Sequence, residues 1–531
     1  MKYHALYRKL SVLAFGSILM TVPVLTSCES TVLDLTPGSS FSDVTAYSTP
    51  ERCELAVLGA YDAAQCGYYE DADDWTRGYP FGAASIIQGE MRGEDMNLTA
   101  VFYDYTYSAT YTTSTGNNKS MWETSFEAIN RYNVVMEGIE DAASRGVISN
   151  ELKEQYVGEC LFLRALTYHN LMIHFALPYG VEGNNDYGMP LYLTAVTDPS
   201  EVEAQLKIGR STVEDTYKQI LKDLNDAETY LPDAISSDKI GRASKGAAIA
   251  LKTRVYLHMR DWTNVVTEAK KLEGGRFDLE ADPATPFTSY ANNVESIFSI
   301  PNSSSDNASV NGAMAAMMSA RTGGRAMCTS SPTLYNSTYW KADDKRRKLL
   351  YYRESDKYYF CDKYQNPQTN EEYAPIIRYA EVLLNEAEAL ARDNSNPENK
   401  GKAVAKLNEV RNRSLADPST QAYKEEDFSD TKALVEAILW ERRIEFHGEG
   451  RRWEDIHRLA ADDLCPSAGI PAKIDYNKTK GQGVFVIDGE VNAGWYGKEL
   501  IPYTDKRFLW SIPINDLVRN PTLAKQQNAG W

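Results

Sequence analysis

Apolar residues recur at helical spacing over most of the chain, and this period is the main structural signal. Leu55, Val57, Leu58, Ala60 and Tyr61 predict a helix over 50–64; Trp122, Phe126, Ile129, Val134, Val135 and Ile139 predict another over 120–139. A long helix is expected over 151–175, through Tyr156, Leu163, Leu166 and Leu171. Segment 212–231 carries Val213, Tyr217, Ile220, Leu224 and Tyr230 and stops at Pro232. Segments 244–258 and 262–273 form a pair around a short link. The cleanest period lies in 375–392, where Ile376, Ile377, Ala380, Leu383, Leu384, Ala387, Leu390 and Ala391 share one face. Helices over 400–414 and 431–447 follow. Two segments, 66–118 and 275–372, show little period and are rich in Gly, Ser, Asn, Tyr and Asp, so they read as long loops. Val484–Val491 predicts a β-hairpin, because Asp488-Gly489 supplies a left-handed turn pair. Successive helices of this kind predict a mainly α scaffold of paired helices with long irregular loops and minor β-hairpins. No sharp 34-residue repeat is visible, so any tetratricopeptide-like character is degenerate.

The first 28 residues have a different pattern. Lys2, Arg8 and Lys9 precede an apolar run from Leu10 to Val24, and Leu25-Thr26-Ser27-Cys28 follows. A short basic-then-apolar leader ending in small residues is an export signal rather than a spanning helix. Its ending resembles the lipobox of bacterial lipoproteins, which implies a signal peptide over 1–27 and lipidation of Cys28. Residues 28–41 then read as a tether, with Thr36-Pro37-Gly38-Ser39-Ser40 as its breaker cluster.

The net charge of the 531-residue chain is −18, and loss of a leader with three basic and no acidic residues deepens it to −21. Such a field disfavours nucleic acid and anionic lipid and suits a neutral ligand better. No other apolar stretch approaches the ~20 residues of a spanning helix, so the body reads as soluble. The cysteines beyond Cys28 form no CxxC pair, which argues against zinc. Bridges Cys53–Cys66 and Cys328–Cys361 stay open, although sparse cysteines are more often buried thiols. Tyrosine is over-represented, at 34 against 15 Phe. Its flat face with a polar tip suits stacking on sugars or partners.

Several charges fall on apolar helix faces. Arg442 shares a row with Leu434, Ile438 and Phe446, and Glu445 lies one turn on. Glu159 lies beside Tyr156 and Leu163, Arg378 and Glu381 flank the Ile377/Ala380 stripe, and Glu441 adds to the set. A charge on a buried stripe must pair, or it costs several kcal/mol. A catalytic carboxylate cluster is the competing reading. It is disfavoured because Arg pairing lowers a carboxylate pKa, whereas a general acid needs it raised.

These charged helices carry a family resemblance. Its blocks are Trp122…Ile129-Asn-Arg-Tyr-Asn133, Gly158-Glu-Cys-Leu-Phe-Leu-Arg164-Ala…Tyr168 and Gly241-Arg-Ala-Ser-Lys245-Gly-Ala-Ala248. Then come Ile377-Arg-Tyr-Ala-Glu through Glu388, Leu407-Asn-Glu-Val-Arg-Asn-Arg413, Trp440-Glu-Arg-Arg-Ile-Glu-Phe…Glu449-Gly-Arg-Arg-Trp-Glu-Asp455, and Pro513-Ile…Asn520-Pro…Trp531. In this order they resemble the SusD/RagB family of nutrient-binding outer-membrane lipoproteins of Bacteroidetes. Cys160, where the family usually has Ala, and Ala529, where it often has Pro, depart from the pattern. The resemblance implies about four tetratricopeptide-like helix pairs, with an N-terminal helical region over 42–275 and a C-terminal region over 276–531 packed as one globular unit. It implies an outward-facing outer-membrane location. It also implies capture of oligosaccharide or polysaccharide for a SusC-like TonB-dependent transporter, without catalysis. An exported glycoside hydrolase and a helical-repeat adaptor that binds only protein are the alternatives.

Sugar rings stack their C–H faces on aromatics and exchange hydroxyl hydrogen bonds with Arg, Asn and Asp. Trp122, Trp262, Trp440, Trp453, Trp510 and Trp531 fall in the helical or terminal blocks and read as core. Candidate contacts are therefore Tyr69, Trp75 and Arg77, then Tyr103 and Tyr105 from a Tyr-alternating loop, and Arg321 and Trp340 beyond. The Tyr alternation also fits a strand with a Tyr face. No HExxH, P-loop or GxGxxG occurs, and no cofactor is expected. Glu70-Asp71-Ala72-Asp73-Asp74 offers oxygen ligands for a structural calcium, but it lacks the DxDxDG register and reads as a solvated acidic loop. An acyl group on Cys28 is the only strong membrane signal here. Cys28→Ser should therefore release the protein from the membrane fraction; a variant that still pellets with membranes after a high-salt wash would show a second anchor.

Overall fold

A computed structural model describes residues 43–66, 78–181, 186–234 and 240–531. Two units are distinguished, Met1–Ala46 and Tyr47–Trp531. Of the first, only the helical turn Asp43–Ala46 is described. The leader, Cys28, Tyr69, Trp75, Arg77, the acidic run 70–74 and the start of the 42–275 region lie outside the described residues.

The second unit is built mainly of helices. They are α1 (Pro50–Cys66), α2 (Ala83–Arg92), α3 (Gly116–Ser144), α4 (Asn150–Phe175), α5 (Val213–Tyr230), α6 (Lys245–Met259), α7 (Trp262–Lys270), α8 (Tyr379–Arg392), α9 (Asn399–Asn412), α10 (Thr431–Glu445) and α11 (Arg451–Arg458), with shorter turns between. Local chemistry sets their ends. Ser149, Thr212, Ser244, Asp261 and Asp430 each accept a hydrogen bond from a backbone N–H in the first turn of α4, α5, α6, α7 and α10. Arg260, in the left-handed region, turns the chain between α6 and α7. Consecutive helices pack on one another: α3 on α4, α4 on α5, α5 on α6, α6 on α7, α7 on α8, and α8 on both α9 and α10. This is the stacked helix-pair plan of a tetratricopeptide-like scaffold. No described helix is long and apolar enough to cross a membrane.

Short antiparallel strand pairs tie the loops to this frame. β1 (Met96–Leu98) pairs with β3 (Cys328–Ser330), with Leu98 opposite Cys328. β2 (Ser296–Ile300) pairs with β6 (Ala374–Arg378), with Ile300 opposite Ala374. β4 (Leu350–Arg353) and β5 (Tyr358–Cys361) form a hairpin, with Tyr352 opposite Tyr359. The helix expected from residue 375 therefore begins four residues late. Pro375 and the β-branched pair Ile376-Ile377 extend along β2, and α8 starts only after Arg378. The hairpin expected over Val484–Val491 does not form. Its Asp488 turn is present, with φ 55° and Gly489 N–H donating to the Val486 carbonyl at 2.9 Å. Instead of a partner strand, the Asn336 side chain takes both the Val484 carbonyl (2.9 Å) and the Val486 N–H (3.0 Å). The six described cysteines are free thiols. Cys53 and Cys66 sit 13 residues apart on α1, roughly 20 Å along its axis, far beyond disulfide reach.

The helices are joined by buried ion pairs. Arg164 on α4 grips Asp223 on α5 through two 2.8 Å bonds. Arg242 binds Glu159 at 2.7 and 2.6 Å, and Tyr61 donates to the same carboxylate at 2.6 Å. Arg254 on α6 forks onto Glu381 on α8 at 2.6 and 2.7 Å. Arg458 on α11 forks onto Glu388 at 2.8 and 2.6 Å. Arg442 reaches Asp455 at 2.9 Å and Asn385 at 2.6 Å, not Glu445 as helix spacing suggests. Glu445 points elsewhere, to Arg346 (2.8 Å), Arg378 (2.8 Å) and Arg413 (2.7 Å). Glu441 pairs with Arg346 at 2.5 Å.

Burial alone pushes the Glu381 and Glu388 carboxyls up, but their Arg partners more than offset it and hold both at about 2. Glu445 is held well below the ordinary range against the same cost. At Glu159 and Glu441 burial prevails and the carboxyls rise, so the expectation that pairing lowers every such carboxyl does not hold. All five are buried and bound inside the frame.

Arg378 is the hub. It donates to Glu445 (2.8 Å) and to both oxygens of Glu449 (2.9 and 2.8 Å), and also pairs with Glu295. Arg378→Met should leave these carboxylates under-compensated and cost about 3–5 kcal/mol by chemical denaturation, the range for breaking a buried pair. A loss below about 1 kcal/mol would mean that the hub carries little of the stability.

Candidate carbohydrate-binding surface

The β4–β5 hairpin has two faces. Tyr358 and Phe360 turn inward, into a cluster with Ala326, Tyr476 and Val484. On the other face Tyr352 meets Tyr359 with ring centroids 4.9 Å apart. Tyr359 stacks on Tyr335 at 4.7 Å and 18° and takes the Phe485 edge at 5.2 Å. Burial pushes the Tyr359 hydroxyl up to about 12, so it stays a neutral donor at any ordinary pH. The Arg347 guanidinium covers Tyr335 at 4.4 Å. The result is a rigid aromatic row whose outer end, Tyr352, is 41% exposed, whereas Tyr351, opposite Phe360, projects from the other side of the hairpin at 36% exposure.

Arg321 lies against this hairpin. A turn in which Gly323 has φ 96° and Gly324 N–H donates to the Arg321 carbonyl at 2.9 Å sets its backbone. Its guanidinium forks onto buried Asp362 through two 2.7 Å bonds and sits 5.7 Å over the Tyr351 ring. The fork fixes the side chain, which is still 41% exposed. A planar cation held beside open rings can donate to hydroxyls while the rings cover an apolar sugar face. Asp362 is spent on Arg321, so it offers no free nucleophile here.

The surface continues towards the other candidates. Arg325 donates to Asn311 at 2.6 Å. Thr99 N–H donates to the Met327 carbonyl at 3.1 Å, so the segment that leads to Tyr105 leaves from the residue before β3. Tyr105 is 58% exposed. The flanks of 67–77 are also fixed beside this region. Gln65 donates to the Pro301 carbonyl at 2.8 Å, and Gly78, at φ +76°, packs so closely on Gly312 that a Cβ would lie 2.7 Å from its Cα.

Two sequence candidates do not belong to the surface. Tyr103 is fully buried in a 3-10 turn, edge-on to Phe102 at 4.9 Å. The Tyr-rich stretch is thus a pair of helical turns and not a strand with a Tyr face. Trp340 is 1% exposed, packed with Leu334 and Ile444, because its ring fills the space beside α10. Among the tryptophans read as core, Trp122, Trp453 and Trp510 are buried, whereas Trp262, Trp440 and Trp531 are only partly so. Conversely, Tyr351, Tyr352, Tyr359 and Asp362 were missed. Their signal was the doublets Tyr351-Tyr352 and Tyr358-Tyr359 on either side of a polar turn, a hairpin pattern. Among the described residues, no group of His, Cys, Asp or Glu side chains is arranged to hold a metal ion.

Comparison with known proteins agrees with this architecture. A model described as the SusD family matches residues 295–531, and one described as starch-binding and associating with the outer membrane matches 80–257. The chain belongs to the SusD/RagB family. A SusD superfamily protein from Bacteroides fragilis shares the fold at a TM-score of 0.73 and 26% identity, over 90% of this chain and 99% of that one. A SusD-like carbohydrate binding protein from Bacteroides vulgatus, at 19% identity, shows the same fold with a TM-score of 0.70 over 91% and 98% of the two chains. SusD-like protein P38 of Formosa agariphila is 24% identical over 513 residues, covering 85% of this chain and 92% of the relative. This SusD-family chain is therefore a member of a carbohydrate-binding family associated with the outer membrane.

Proposed function

We propose that the protein is a cell-surface glycan receptor. It holds neutral oligosaccharide on the Arg321–Tyr351 surface and passes it uncut to a SusC-like TonB-dependent transporter. The observation that carries the binding step is the Arg321 guanidinium, locked by Asp362 over an open tyrosine. Tyr105 extends this surface, and the fixed flanks of 67–77 support keeping Tyr69, Trp75 and Arg77 as further contacts. The leader and Cys28 support a lipid anchor that faces outward. Catalysis is disfavoured because the charged pairs of the frame are buried and Asp362 is engaged.

Tyr351→Ala and Arg321→Ala should each cost about 1–3 kcal/mol of oligosaccharide affinity by calorimetry, the worth of a stacked face or a central anchor. The melting temperature of Tyr351→Ala should stay near wild type because its side chain is exposed, whereas Arg321→Ala leaves buried Asp362 without its partner and should melt lower. Unchanged affinity in both variants would move the site elsewhere, and release of smaller sugars on long incubation would make the protein an enzyme. The delivery step predicts co-isolation with a large β-barrel from detergent extracts of its native membrane; repeated isolation without one would contradict it.

A further inference from the structure

A second cleft, of about 450 Å³, lies between the first half of α3, the segment 192–205 and residues 515–523. This size falls in the ~300–1,000 Å³ range of small-ligand sites. Its floor is aromatic. Phe126 meets Tyr192 edge to face at 5.3 Å, and is itself held edge to face by buried Trp122 at 4.7 Å. Charges of both signs rim it, including Glu127 and Arg519.

Two of its oxygens lack a donor. Asp516 Oδ2 and Gln205 Oε1 are buried and accept no hydrogen bond from the protein. Gln205 already uses its amide nitrogen on Thr194 at 3.2 Å. A buried acceptor left without a donor is costly, so these atoms call for a ligand or water that donates.

The backbone around the cleft, by contrast, is occupied. Asn130 takes the N–H and carbonyl of Val196 at 2.8 and 3.0 Å. Asn133 donates to the carbonyls of Tyr192 and Thr194 at 3.0 and 3.1 Å, and Glu137 accepts from Ala195 N–H at 2.9 Å. An extended peptide would find little free edge to pair with. A molecule rich in hydroxyl donors, with apolar ring faces and no net charge, fits aromatic rings, spare acceptors and mixed charges together.

We infer that this cleft is a second subsite for neutral oligosaccharide, separate from the Arg321 surface. The inference rests on the glycan-binding reading above. The test uses the neutral oligosaccharide that the wild-type protein binds most tightly on a glycan array, titrated by calorimetry. Arg321→Ala should leave one residual class of sites. Adding Phe126→Ala to that background should abolish it. Gln205→Leu should weaken it about tenfold while the melting temperature holds or rises, a combination that a purely structural glutamine would not give and that guards against Phe126→Ala disturbing Trp122. No residual binding in Arg321→Ala, or residual binding untouched by both cleft variants, overturns the subsite and leaves the receptor reading intact. A wild-type protein that binds no glycan on the array overturns both.

Discussion

A guanidinium removed from water must find acceptors for its hydrogen bonds, and Arg378 finds three carboxylates. It stands where β6 ends and α8 begins, and it reaches Glu295 before β2, Glu445 at the end of α10 and Glu449 in the turn that follows. Desolvating such ions costs several kcal/mol each, a cost repaid only if every charge is matched in good geometry. The proposed binding surface is tied to the same hub. Lys363, directly after Asp362, donates to Glu449 at 2.6 Å and to the Glu445 carbonyl at 2.7 Å. Asp362 in turn holds Arg321. A chain of charged contacts thus runs from the strand–helix junction to the guanidinium proposed to meet sugar. The rest of the helical frame repeats the device at α4–α5, α6–α8 and α8–α11.

Hydrophobic period was a good guide along most of the longer helices, including α8, which is buried at every residue. The expected spans for α1, α3, α4, α5, α6, α7, α9 and α10 lie close to the observed ones. It failed at α2 because that helix has only ten residues, and the run Gln88-Gly89-Glu90 with Arg92 breaks its apolar pattern after Ile87. It failed at β6 because Ile376 and Ile377 satisfy a helical stripe and a strand equally well. The pairing of Arg442 was illegible for another reason. Its partner Asp455 belongs to the next helix, and spacing along one helix cannot reveal it.

The proposed surface was only partly legible. Arg321 stood out as a charge in a glycine-rich loop, and Tyr105 is exposed. Tyr103, two residues earlier, and Trp340 have the same composition but are core, because tertiary packing decides which face of a turn or loop meets water. Tyr351 and Tyr352 needed the hairpin to be recognised first. The family likeness persists at 26% identity and a TM-score of 0.73, so the frame tolerates wide sequence change.

The most direct test of a frame built on buried ion pairs is its melting temperature between pH 7 and pH 2.5, measured at low salt and at 0.5 M salt. Glu94, Glu381 and Glu388 are held at about 2 in the folded protein against burial by their arginines, and unfolded glutamates titrate near ~4.3. Folded-state values below the unfolded ones mean stability that is complete above about pH 4.3 and lost as pH falls towards 2. The melting temperature should fall steeply in that window, and added salt should barely change the fall, since buried pairs are poorly screened. A melting temperature flat to pH 2.5, or an acid loss largely removed by salt, would contradict it.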